Sequence, residues 1–173
     1  MNIQDILELI GKDANCNLVP KMNTNENKIN LPDDLKYFYE KYESLELFSN
    51  KSYAIKISSL DELIPTNKKL FPEDDVIWEE LEGDISNYWF LIASSEQLSQ
   101  YISIDLSDRN FGYCYDSFLE THANPEDSAI IAKSFTELLE RLYESGGYNW
   151  YWLEDFEPYG DAYDDFDIIV TSK

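Results

Sequence analysis

The sequence predicts a mixed α+β domain, on three observations. Apolar residues recur at helical spacing near the start, again around residues 31–44, and again around residues 134–145. Between the second and third of these stretches lie several short segments of strand character. Two of those segments are separated only by the polar turn Ser107–Asp108–Arg109–Asn110, which makes them an antiparallel hairpin.

The first helix spans residues 2–12. Ile3, Ile6, Leu7 and Ile10 form one stripe, Asn2 can cap it and Gly11 can stop it. Residues 13–30, rich in Asn and Lys, read as a loop. LPDDLKYFYEKYES (31–44) is a second helix. Pro32 suits a first turn, and Asp33 and Asp34 sit at the positive end of the dipole. Leu31, Leu35, Phe38, Tyr39 and Tyr42 give it an apolar face.

SYAIKIS (52–58) alternates as a strand, and Ser59 can cap a short helix holding Leu60, Leu63 and Ile64. Residues 65–87 read as a long connection with one helical turn around Val76–Leu81. YWFLIAS (88–94) is almost wholly apolar and is expected at the sheet centre. QYISIDL (100–106) places Tyr101, Ser103 and Asp105 on one face and Ile102, Ile104 and Leu106 on the other. FGYCYDSF (111–118) completes the hairpin, and HANPEDSA (122–129) is a loop. Ser134 and Glu137 form a capping box for a helix with Phe135, Leu138, Leu139 and Leu142 inward, stopped by Gly146 and Gly147.

With 173 residues, 43% hydrophobic and 15% aromatic, the chain has material for one compact core. It contains no apolar run long enough to span a membrane, and its N-terminus lacks a basic stretch and a small-residue cleavage site. Cys16 and Cys114 show neither metal-ligand spacing nor a disulfide framework. A cytoplasmic location with reduced thiols is expected.

The net charge is −22, and it is lopsided. Residues 1–69 hold 9 lysines and 11 acids, a net of −2; residues 70–173 hold 4 basic and 24 acidic residues, a net of −20. Phosphates would be repelled, so neither nucleic acid nor an anionic membrane is an expected partner. A basic protein is. Residues 148–173 combine this acidity with Tyr148, Trp150, Tyr151, Trp152, Phe156, Tyr159, Tyr163 and Phe166. Disordered acidic tails are poor in aromatics, so Trp150–Phe156 is expected to pack on the body with its acids in water.

In order and spacing, LPDDLKYFYEKY, the Ile55–Ile57 strand followed by SSLDELI, YWFLIAS, YISIDL and AKSFTELLERL resemble the Smi1/Knr4 (SUKH) superfamily over residues 1–147. The resemblance implies a mostly antiparallel β-sheet with helices packed against it, in a SUKH-like core domain of residues 1–147. Residues 148–173 would be an acidic aromatic extension packed on that core. ESLELFSN and SSEQLSQ lack the glycines that the family often has at those turns. Bacterial members are mostly immunity proteins that bind and neutralise toxins, many of them nucleases; fungal relatives are regulatory scaffolds. The resemblance therefore implies an immunity protein or antitoxin, with a non-enzymatic scaffold as the alternative. It supplies no catalytic residue.

The side chains agree with a binding role. His122 is the only histidine, lies in a predicted polar loop and reads as solvated, so a nucleophile paired with it has little support. No spacing singles out a carboxylate pair for hydrolysis. DAYDDFD (161–167) lacks the EF-hand order and reads as a solvated acidic turn, with a weak surface calcium site as the alternative; no cofactor is expected and no metal ligand is assigned. The expected partner-binding residues are Glu154, Asp155, Glu157, Tyr159, Asp161, Tyr163, Asp164, Asp165 and Asp167, joined by Glu79, Glu80, Glu82 and Asp84. Their acids would steer a basic, nuclease-type toxin, and exposed tyrosines would anchor it. Trp89, Trp150 and Trp152 read as core.

Overall fold

The computed structural model describes residues 1–23 and 28–164. Seven antiparallel strands follow one another across a single sheet in chain order. They are β1 (Cys16–Pro20), β2 (Tyr42–Leu47), β3 (Ile55–Ile57), β4 (Trp89–Ser95), β5 (Gln100–Asp105), β6 (Cys114–Asp116) and β7 (Ile130–Ala132). The helices are α1 (Ile3–Gly11), α2 (Asp33–Lys41), α3 (Thr66–Leu70), α4 (Ile77–Glu80) and α5 (Phe135–Ser145). The α+β class and the antiparallel sheet stand as expected.

Both long amphipathic helices begin as their sequences require. The Asn2 side chain accepts from the Asp5 N–H at 2.9 Å, and the Ser134 hydroxyl accepts from Glu137 N–H at 3.0 Å. Glu137 reaches back one residue past the cap and accepts from the Lys133 N–H at 2.8 Å. Asp34 leaves its own helix to accept from the Thr136 N–H and hydroxyl, both at 2.8 Å, tying the start of α2 to the start of α5. At the far end, Gly146 turns left-handed with φ 65° and ends α5. Gly147 follows with φ +79°, and a Cβ there would lie 2.6 Å from Phe48 Cβ. No larger residue fits this crossing.

Each face of the sheet has its own chemistry. Ile102 and Ile104 join Leu45, Leu47, Ile57, Cys114 and the inward stripes of α1, α2 and α5 in the main core. The other residues of β5 meet a polar layer. The Ser103 hydroxyl bonds Thr66 at 2.8 Å and Ser117 at 2.7 Å, with all three residues fully buried. Beside them, the Tyr115 hydroxyl donates to Asp105, whose pKa burial pushes upward. Both faces of β5 are covered, and all six of its residues are buried.

Several expectations need correction. β1 lies inside the stretch read as an Asn/Lys loop. α2 ends at Lys41, and Tyr42 opens β2 instead of completing the helical stripe. Pairing with β1 and β3 on either side overrides the helical spacing. SSLDELI forms a single turn, with Ser59 O accepting from Leu63 N–H at 3.0 Å, and carries no helix. The connection 65–87 contains α3 as well as the anticipated turn at α4. β7 is a further strand too short to announce itself.

His122 is the largest correction. It is 4% exposed rather than solvated. Asn67 donates through Nδ2 to the Ser86 hydroxyl at 3.0 Å and to Asn87 Oδ1 at 3.2 Å. Its Oδ1 is therefore the acceptor for His122 Nε2–H, at 2.7 Å, which fixes the neutral Nε2–H tautomer. Phe71 and Trp89 flank the ring. Burial lowers the His122 pKa from 6.5 to about 4, against an opposing pull from Asp84.

The segment after α5 belongs to the same body. Trp150 and Trp152 stack at 5.5 Å and are 5% and 7% exposed. The backbone of 159–162 then runs antiparallel to 128–130. Ile130 N–H donates to Gly160 O at 2.8 Å, Tyr159 N–H to Ile130 O at 3.1 Å, and Ala162 N–H to Ser128 O at 2.9 Å. This covers the outer edge of β7, which would otherwise present unpaired main-chain groups.

Two outcomes follow for stability. His122 is depressed when folded, so the unfolded chain binds the extra proton between pH 6.5 and about 4. Its contribution is complete above pH 6.5 and is lost on acidification through that window, by about 3 kcal/mol. Urea unfolding at several pH values should show His122→Gln losing less stability than wild type across this range; equal slopes would contradict it. Trp152→Ala should cost about 3–5 kcal/mol, as for a core aromatic. A cost within about 0.5 kcal/mol would mean that this segment merely rests on the surface.

Candidate functional site

Two cations, Arg141 and Lys133, hold part of the acidic C-terminal half in place. Arg141 Nε donates to Glu137 Oε2 at 2.8 Å across one helical turn. The Tyr159 hydroxyl donates to the same oxygen and accepts from Arg141 at 3.2 Å. The guanidinium also lies 4.9 Å from the Phe156 ring centre and 5.8 Å from that of Tyr151, while Lys133 lies 4.8 Å from that of Tyr159. Burial pushes the Glu137 pKa up, but the bonds from Tyr159, Lys133 N–H and Arg141 outweigh it and hold the carboxyl below its usual range. Arg141 and Lys133 thus fasten the extension to α5.

The anticipated binding residues separate into two groups. Glu154, Asp155 and Glu157 are exposed on the stretch that leaves Trp152 and crosses α5. Asp155 takes a left-handed φ of 55°, a conformation open to Asp. Tyr159 is 40% exposed, but its hydroxyl is committed to Glu137 and Arg141.

The second group gathers where the chain turns past Gly160. Asp161 accepts from Ser128 N–H at 2.8 Å and Tyr163 N–H at 3.0 Å. Asp164 is exposed and accepts from Asp161 N–H at 2.8 Å. The Tyr163 hydroxyl donates to Asp84 Oδ2 at 2.8 Å, bringing the tail against the segment that carries Glu79, Glu80 and Glu82. Those three glutamates are exposed. The two acidic stretches, 79–84 and 161–164, therefore meet in space although about eighty residues separate them. Asp165 and Asp167 lie outside the described residues.

Tyr163 needs a correction. It is 2% exposed and packs with Trp89, Tyr115, Ile130 and Ala162 in a second small core. Its ring is too large and apolar to remain in water when that pocket is available. It joins the two acidic stretches from beneath and is not an exposed anchor. Trp89, at 0% exposure, is core as expected.

Near the start of the extension the surface changes character. Leu98, Leu119, Tyr148 and Leu153 are 39%, 41%, 71% and 63% exposed. Single leucines in polar stretches carry no sequence signal, and only the fold reveals how exposed they are. Among the described residues no group of His, Cys, Asp or Glu is arranged to hold a metal ion. No described helix is long and apolar enough to cross a membrane.

Comparison with known proteins places this geometry in context. The immunity protein YokJ of Bacillus subtilis (strain 168) is 34% identical over 171 residues, covering 97% of this chain and 99% of the relative. The similarity therefore reaches past α5 into the acidic extension. The model of the SMI1 / KNR4 family (SUKH-1) matches residues 24–141, from ahead of α2 to within α5. The chain belongs to the SMI1/KNR4 (SUKH-1) family.

Proposed function

We propose that the chain is a cytoplasmic immunity protein that neutralises a cognate toxin by stoichiometric binding, without catalysis. The observation that carries this reading is its near end-to-end similarity to the immunity protein YokJ. The charge supplies the mechanism. A body carrying −20 on residues 70–173 attracts a cationic protein and repels phosphate. A nuclease cleft built for phosphates is cationic, and carboxylates can occupy it in their place.

Glu154, Asp155 and Glu157 on one stretch, with Glu79, Glu80, Glu82 and Asp164 around Asp84, supply that field. Asp161 and Asp84 hold their own loops, and Tyr163 supports both from below. Binding through a pre-folded acidic surface gives fast encounter, because long-range attraction acts before contact. It is also sensitive to salt, since exposed charges are screened beyond about 8 Å at physiological ionic strength.

Co-expression with the toxin encoded beside this chain should restore growth, and the two proteins should co-purify. Neither protection nor a complex would end the reading. Glu154→Gln, Asp155→Asn and Glu157→Gln combined with Glu79→Gln, Glu80→Gln and Glu82→Gln should slow association at low salt by about tenfold or more. Stopped-flow mixing measures this rate, and an unchanged rate would remove the acidic surface from the mechanism.

A further inference from the structure

A cavity of about 340 Å³ opens between the start of β5, the end of β6 and the beginning of the extension. Its walls include Tyr53, Phe118, Trp150 and Leu153, and its polar groups include Gln100 and Asp116. One oxygen of Asp116 is held in place: Oδ1 accepts from Gln100 Nε2 at 2.8 Å and from Phe118 N–H at 3.1 Å. Gln100 is itself fixed by donating to Tyr101 O at 2.9 Å. Among the described residues, none of the ion pairs involves Asp116.

A half-buried carboxylate without a cation is costly, and such a group commonly marks a place where a charge is meant to arrive. Burial raises the Asp116 pKa, and the charge of Asp127 adds to the effect despite the bonds from Gln100 and Phe118. The surroundings suit an organic cation. Tyr53 meets Trp150 edge-on at 5.0 Å, and aromatic faces attract ammonium and guanidinium groups. Exposed Leu98 and Leu153 at the lip offer apolar surface to an alkyl stem. Glu154 and Asp155 follow Leu153 directly and extend the negative field outward.

We propose that this cavity receives one lysine or arginine side chain of the partner protein, its cationic head meeting Asp116 and its stem lying against Trp150 and Leu153. The inference rests on the toxin-binding reading and names one contact within it. Charge complementarity favours a basic side chain, because an apolar anchor would cover Asp116 without bringing a cation to it. A contact of this kind, at the centre of an interface rimmed by acids, is where binding energy concentrates.

The test uses the isolated full chain with Nα-acetyl-arginine amide and Nα-acetyl-lysine amide as probes, and Nα-acetyl-norleucine amide as the uncharged control. The indole N–H signals of Trp150 and Trp152 report binding by NMR. Saturable millimolar binding of a cationic probe is expected, at least about tenfold tighter than the norleucine probe. Asp116→Asn, which retains an acceptor for Gln100 and Phe118, should abolish that preference. Leu153→Ala, at an exposed position that leaves the fold intact, should weaken binding a few-fold. Equal binding of the neutral probe, binding indifferent to Asp116→Asn, or no binding of either cation would overturn the proposal. These probes need no toxin, so an empty cavity would leave the immunity reading standing, and failed protection would not alter a positive result here.

Discussion

The structure depends on the anchoring of one acidic segment. Residues 148–164 carry charges that repel one another, yet the segment is fixed at three levels. Trp150 and Trp152 are seated in the main core, Arg141 and Lys133 grip its aromatic rings, and its backbone pairs with 128–130. The apolar burial offsets the repulsion, and the main-chain bonds close the open edge of β7. Without these, the segment would be a solvated tail, and its charge would have no fixed address.

That anchoring has a consequence for recognition. An acidic tail that ordered only on binding would spend part of its interaction energy on ordering. Here the order exists beforehand, through Tyr151 bonded to Ile131 O at 2.7 Å, Tyr159 on Glu137, and Tyr163 on Asp84. Tyrosine suits the work because its ring is buried while its hydroxyl reaches a polar group. Several of the chain's 13 tyrosines act as internal fasteners in this way.

What could be read from sequence follows physical lines. The stripes of α1 and α5, both N-caps and the glycine stop of α5 were legible because local bonds and local spacing decide them; α1 instead runs through Gly11 and ends at Lys12. So was the antiparallel β5–β6 pair, where β5 alternates and a polar turn follows, although β6 is shorter than the stretch 111–118. β1, β2 and β7 were not legible, because short strands owe their form to distant neighbours. Tyr42 extended a helical stripe in sequence but pairs with Pro20 in the sheet. His122 sat among polar residues in sequence and proved buried, since Asn67, 55 positions away, supplies its partner.

The candidate surface was legible as composition and not as geometry. Counting charge located the acidic half, but could not show that Asp84 and Tyr163 touch, or that Tyr163 faces inward. The cavity at Asp116 gave no signal at all, because Tyr53, Gln100, Asp116 and Trp150 are far apart along the chain. Family membership constrains the role in a different way. The match from residue 24 to residue 141 covers β2 to β7 and the helices from α2 into α5, and the likeness to YokJ takes in α1, β1 and the acidic extension as well.

In the proposed role, neutralisation is occupancy of a cationic surface and not chemistry performed on it. Its most direct test is a titration of the toxin's activity with this protein at a fixed toxin concentration well above the dissociation constant. Occupancy should give a linear fall to zero activity at one equivalent, the same at every incubation time, with full activity recovered when the complex is separated in high salt. Loss of activity at a small fraction of an equivalent, deepening with time and persisting after separation, would contradict it.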